Sequence, residues 1–166
     1  MAYFQMDKNP KSNQLETSAD FTQLADRFYK LAQSYMEFFV DNVPNVMKCT
    51  EPPIANAAFT CELYLKSLLL REQFNFYTIK KPENKHDLFD LYNHLSQPSR
   101  DKIRNTHPCT NENKENFELA LKECGKAFEV LRYSCEYSAM VTNVKFLVEL
   151  AGTLAEISYD KAHEKE

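Results

Sequence analysis

Residues 54–73 read IANAAFTCELYLKSLLLREQ, and this stretch decides the fold. Apolar side chains nearly encircle a helix drawn through it, so it is expected to be the central, most buried helix of an all-α protein. Small residues at its start, Ala55, Ala57 and Ala58, allow neighbours to approach closely. Its polar residues fall in thin stripes. Glu62 and Lys66 form an i,i+4 pair in the favourable order, and Asn56, Thr60, Ser67 and Arg71 form a second line. Both stripes read as solvent-facing edges of a core helix.

Working outward, Phe21, Leu24, Ala25, Phe28, Leu31, Ala32, Tyr35, Phe38 and Phe39 recur at three- and four-residue steps. They predict a long amphipathic helix capped at Thr17 or Ser18 and ending before Pro44. Residues 1–16 are polar and read as a loose arm, leaving 17–163 as one helical domain. After the loop FNFYTIKKPENK (74–85), HDLFDLYNHLS (86–96) starts a short helix with Asp87 as N-cap. QPSRDKIRNTHP (97–108) adds a further turn or two, capped near Ser99 and stopped before Pro108.

Two long helices are expected to close the chain. Phe117, Ala120, Leu121, Cys124, Ala127, Phe128, Leu131 and Cys135 form one stripe, and Met140 to Ala155 another. Gly125 and Gly152 lie inside them, each costing about 1 kcal/mol against alanine, which implies close helix contact or room for another side chain. Leu119, Val130, Phe146, Leu150 and Ile157 are left off these stripes and suggest a second subunit, hence a homodimer. No stretch alternates with period two, so the expected architecture is an antiparallel bundle of four to six helices.

Composition narrows the function. With only two glycines, phosphate-cradling Gly-rich loops are excluded. A net charge of −4 argues against a strongly basic nucleic-acid binder, although a local basic patch is compatible with it. Five cysteines without a CxxC pair, no apolar leader and no long apolar run point to a cytoplasmic protein with free thiols, no membrane segment, no metal site and no cofactor.

Three segments, NAAFTCELYLKSLLL, KHDLFDLYNHL and FEVLRYSCEYS, resemble in order the signatures of HEPN-domain proteins, higher eukaryote and prokaryote nucleotide-binding helical domains. The resemblance spans about residues 17–160. It implies a dimerising helical bundle, either a metal-independent ribonuclease of toxin–antitoxin or defence systems or an inactive RNA-binding or interaction module. Active members carry an arginine followed after four to six residues by a histidine, a pair suited to phosphate charge and to proton transfer at a ribose hydroxyl. After Arg132 the corresponding positions hold Tyr137, Ser138 and Ala139, so the usual pair is missing. Arg132 is therefore read chiefly as half of an ion pair with Glu136 or Glu62, and next as a phosphate contact. Arg100 and His107 do meet the spacing, but His107 precedes Pro108 and is biased out of the helix. These four, Arg100, His107, Arg132 and Glu136, are the catalytic candidates.

For ligand or phosphate binding the candidates are Arg132, Glu62, Lys66, His86, Arg71, Lys80, Lys81 and Lys85, with Phe76 and Tyr77 available for stacking. His86 is read mainly, with Asp87, as a start-of-helix residue that bonds backbone amides and packs over the central helix. The expected role is a non-catalytic RNA- or nucleotide-associated or protein-interaction module, with a divergent ribonuclease or a purely structural interaction domain as alternatives.

Overall fold

A computed structural model describes residues 17–42, 51–75, 85–111, 114–132 and 143–163. Among them are seven α-helices and no strand: α1 (Ser18–Asn42), α2 (Glu51–Arg71), α3 (Leu88–Asn93), α4 (Gln97–Thr106), α5 (Lys114–Glu123), α6 (Ala127–Arg132) and α7 (Val144–His163). A short 3-10 turn, Pro108–Asn111, links α4 to α5. The protein is an all-α bundle.

The apolar girth of α2 has the expected consequence. From Ala57 to Leu69 every side chain except the partly exposed Phe59 is buried. Helix α2 packs against α1, α7, α6 and α3. For that reason the polar stripes are not solvent-facing. Thr60, Glu62, Lys66 and Ser67 are all buried, because neighbouring helices cover the edges as well as the apolar face. Ser67 donates to the Ser18 carbonyl at 2.8 Å and shares a 2.8 Å bond with Thr22, while Thr60 donates to the Asn56 carbonyl at 2.7 Å.

Helix α1 begins at a reciprocal cap. The Thr17 hydroxyl oxygen accepts from the Asp20 amide at 3.2 Å, and the Thr17 amide donates back to the Asp20 carboxylate at 3.0 Å. About two turns further, Asp26 ties three helices together, accepting from Tyr64 of α2 at 2.5 Å and from Tyr159 of α7 at 2.6 Å. Burial and the Asp26 hydrogen bond push the Tyr64 phenol well above its ordinary range. Gly152 lets α7 approach α1, since a β-carbon there would stand 3.0 Å from the Tyr29 hydroxyl.

Three expectations need correction. First, the stripe from Phe117 onward does not run along one helix: residues 124–126 form a turn that separates α5 from α6. At this turn the Gly125 carbonyl accepts from the Leu88 amide at 2.9 Å, so the start of α3 docks on the break. Second, α4 starts after Ser96, and Ser99 lies inside it. The Glu72 carboxylate serves the helix end instead, accepting from the Ser96 amide at 2.7 Å and from the Ser99 hydroxyl at 2.5 Å. Third, Phe146, Leu150 and Ile157 are buried within the chain. Helix α7 packs against α2, α1 and α4, so its second apolar row has partners inside the bundle. Phe146 joins an aromatic cluster with Phe117 (centroids 5.5 Å apart) and His107 (4.8 Å). Of the residues taken to face a second subunit, Leu119 is exposed and Val130 partly so.

The break at Gly125 supplies a test. A β-carbon there would lie 2.7 Å from Asp87 Oδ1, the oxygen that caps α3. Gly125→Ala is expected to lower stability by about 1–2 kcal/mol through displacement of that cap. Thermal unfolding checks it. A continuous exposed helix would instead gain about 1 kcal/mol from the same change.

Candidate functional site

Two of the quoted segments meet where α2 passes the start of α3. Asp87 is the N-cap of α3, accepting from the Phe89 amide at 2.9 Å and the Asp90 amide at 3.2 Å. This agrees with the sequence reading. His86 packs over the central helix, as also read: its side chain turns onto α2, where Nδ1 lies 2.9 Å from Glu62 Oε1, and the expected bond to backbone amides is made by Asp87. Lys66 Nζ, one turn along α2, donates to the same oxygen at 2.5 Å.

Glu62 thus sits between two nitrogens of different exposure. Its side chain is 2% exposed and that of Lys66 8%, whereas that of His86 is 52% exposed. A carboxylate so deeply placed needs its positive neighbour, because desolvation of an isolated charge costs far more than a surface pair returns. The distribution of donors is uneven. Both fall on Oε1, and among the described residues the buried Oε2 has no hydrogen-bond partner. Since Nδ1 meets Glu62, Nε2 is the ring nitrogen that this contact does not use, on a side chain that is half exposed. The pair therefore resembles a carboxylate–histidine dyad, in which a fixed carboxylate sets the orientation of the ring and the nitrogen it presents.

The remaining candidates go elsewhere. Arg71 is used by the fold: its guanidinium donates to the Ser158 carbonyl at 2.7 Å and to Thr22 Oγ1 at 3.4 Å, and burial lowers its pKa. Arg100 is half-buried and donates to Gln97 at 2.7 Å. His107, at the C-terminal end of α4, has extended backbone (φ −67°, ψ 131°), as the following proline demands. It is not on a solvated helix edge. Its ring is buried between Phe117 and Phe146, and Nδ1 accepts from the Cys109 amide at 3.1 Å. The Arg100/His107 spacing therefore joins a half-buried helix residue to one of the core. Lys85 is partly exposed beside His86. Lys80, Lys81, Phe76, Tyr77 and Glu136 lie outside the described residues, as does the side chain of Arg132, whose backbone closes α6.

Burial lowers the His107 pKa below its ordinary 6.5, although a hydrogen bond with the Phe146 backbone and the Glu149 charge oppose the shift. The unfolded chain therefore takes up this proton first. Stability is complete above pH 6.5 and drains away as the pH falls from there toward the lower folded value. Urea unfolding of wild type and His107→Gln across that range is expected to show the acid-side slope in the wild type and a shallower one in the variant.

An open groove of about 360 Å³ is lined by other residues, among them Cys109, Leu119, Glu123, Lys145 and Glu149. None of the sequence candidates among the described residues lines it. Cys61 and Cys124 are buried free thiols, and burial raises the pKa of both. Among the described residues no three His, Cys, Asp or Glu side chains gather as a metal set. No helix among them is long and apolar enough to cross a membrane.

The contact missed by the sequence reading is that between Glu62 and His86. Glu62 is the one acid between Ile54 and Arg71, and His86 stands immediately before an N-cap. Those two facts are visible in sequence, but the packing of α3 onto α2 that joins them is not. Comparison of the chain with family models, with curated proteins and with solved structures returned no match.

Proposed function

We propose that this protein is an HEPN-like helical module that binds RNA or a nucleotide without cleaving it, with the junction of α2 and α3 as its binding face. The observation that carries this reading is the Lys66–Glu62–His86 cluster, a buried charged group that ends in a half-exposed imidazole. Lys85 adds positive charge beside it, and Lys80 and Lys81 precede it in sequence. Backbone phosphates are held by such lysines and by imidazolium. The absence of histidine at 137–139 supports binding without turnover, and so does the burial of His107. A homodimer and a place in a defence or toxin–antitoxin system belong to the same proposal.

The test is incubation of purified protein with labelled single-stranded and structured RNA, scored for both retention and cleavage. Retention without cleavage, weakened in His86→Ala, is the expected result. Cleavage abolished by His107→Ala in a folded variant would instead make the Arg100/His107 spacing an active site. Absence of both retention and cleavage would turn the search to a protein partner.

A further inference from the structure

We infer that the open groove between α5 and α7 docks a second copy of this chain, with Leu119 of each copy entering the groove of the other and Lys145 meeting the partner's Glu123. The inference names a surface for the homodimer included in the reading above, and it rests on that part of the reading.

Its first support is shape. Leu119 is the most exposed large apolar side chain among the described residues, at 56%. It stands on the wall of a groove of about 360 Å³, so a projecting apolar group and a recess lie on one patch. Such a patch can complement itself about a two-fold axis, where every contact is made twice. Phe146 lies beneath the groove and is packed by its own chain, so the exposed walls are what a second copy meets.

The second support is charge. Of the α5 charges near Leu119, Glu118 is turned to Arg104 at 3.8 Å and Lys122 is outside the groove lining, whereas the exposed Glu123 is part of it. On the α7 wall the side chain of Lys145 is 85% exposed and stands out beyond that of Glu149, which is 27% exposed. Their separation of 3.7 Å makes an exposed pair that contributes little, so Lys145 is available to a second acid. One wall therefore presents an outer anion and the other an outer cation. A two-fold axis that lays α5 of one copy on α7 of the other sets these opposite charges face to face, which fixes the register of the pair.

Sedimentation velocity over about a hundredfold dilution reads the monomer–dimer equilibrium. Wild type is expected to dimerise reversibly. Leu119→Asp puts a carboxylate where an apolar contact should form, and is expected to weaken the dimer at least about tenfold while leaving the helical circular dichroism unchanged. Glu123→Lys and Lys145→Glu should each weaken it by setting like charges opposite one another. The double variant Glu123→Lys/Lys145→Glu exchanges the signs and should restore it. A dimer that Leu119→Asp leaves as tight as wild type overturns this face and leaves the homodimer standing. A double variant as weak as the single ones overturns the two-fold arrangement. A chain that stays monomeric at every concentration overturns the inference and the homodimer together, and gives the groove to a different partner. RNA retention, scored separately, decides the binding part of the reading.

Discussion

Lys66→Met is expected to destabilise the protein by about 3–5 kcal/mol, because it removes the buried cation and leaves Glu62 charged in the core. Lys66 stands 2.5 Å from Glu62, and the exposed side chain of His86 is a poor substitute for it. The double variant Glu62→Leu/Lys66→Met removes both charges and replaces them with side chains of similar volume. It should recover most of that loss, since an apolar replacement of a buried pair is often neutral or stabilising. Denaturant unfolding of the single and double variants makes the comparison. A Lys66→Met loss below about 1 kcal/mol would mean a solvated pair of the surface kind. That outcome would return the Glu62/Lys66 stripe to the helix edge assumed from sequence.

The second large effect is expected at Phe146. Its ring lies 4.8 Å from that of His107 and 5.5 Å from that of Phe117, and its side chain is buried. Phe146→Ala should cost about 3–5 kcal/mol, as other large-to-small aromatic changes in a core do. The distinguishing feature is concentration. If Phe146 packs inside one chain, the loss is the same at low and high protein concentration. If it formed a subunit seam, the loss would change with concentration by mass action. Thermal unfolding over a hundredfold dilution series separates the two. A homodimer, where it forms, would then use other surface, of which Leu119 is an exposed apolar part.

These two cases show what was legible in the sequence. The identity of α2 as the central helix follows from its apolar girth, and α1 and α3 follow from periodicity and from caps at Thr17 and Asp87. Those are local signals, carried by residues three or four apart. Burial of Glu62 and Lys66 is a tertiary property: the same i,i+4 pair is written identically on a wet edge and in a covered one. The turn at Gly125 escaped for a related reason. Its apolar stripe continues through the break, and the docking of Leu88 and Asp87 on that turn involves residues far away in sequence. For α7 the assumption of one buried face per helix failed, because α2, α1 and α4 all pack against it and its second apolar row is buried too. As for the candidate site, His86, Glu62 and Lys66 were each singled out, but their convergence was not. Arg71 and His107 were drawn from charge and spacing, whereas packing gives them to the fold.

The α2–α3 junction depends on Glu62 holding His86 through Nδ1, and nitrogen-15 NMR of the imidazole reads this directly. In the neutral imidazole the proton is expected on Nδ1, hydrogen-bonded to Glu62, with Nε2 unprotonated, and that preference should be lost in Glu62→Leu. A proton on Nε2, with the same spectrum in Glu62→Leu, would contradict it.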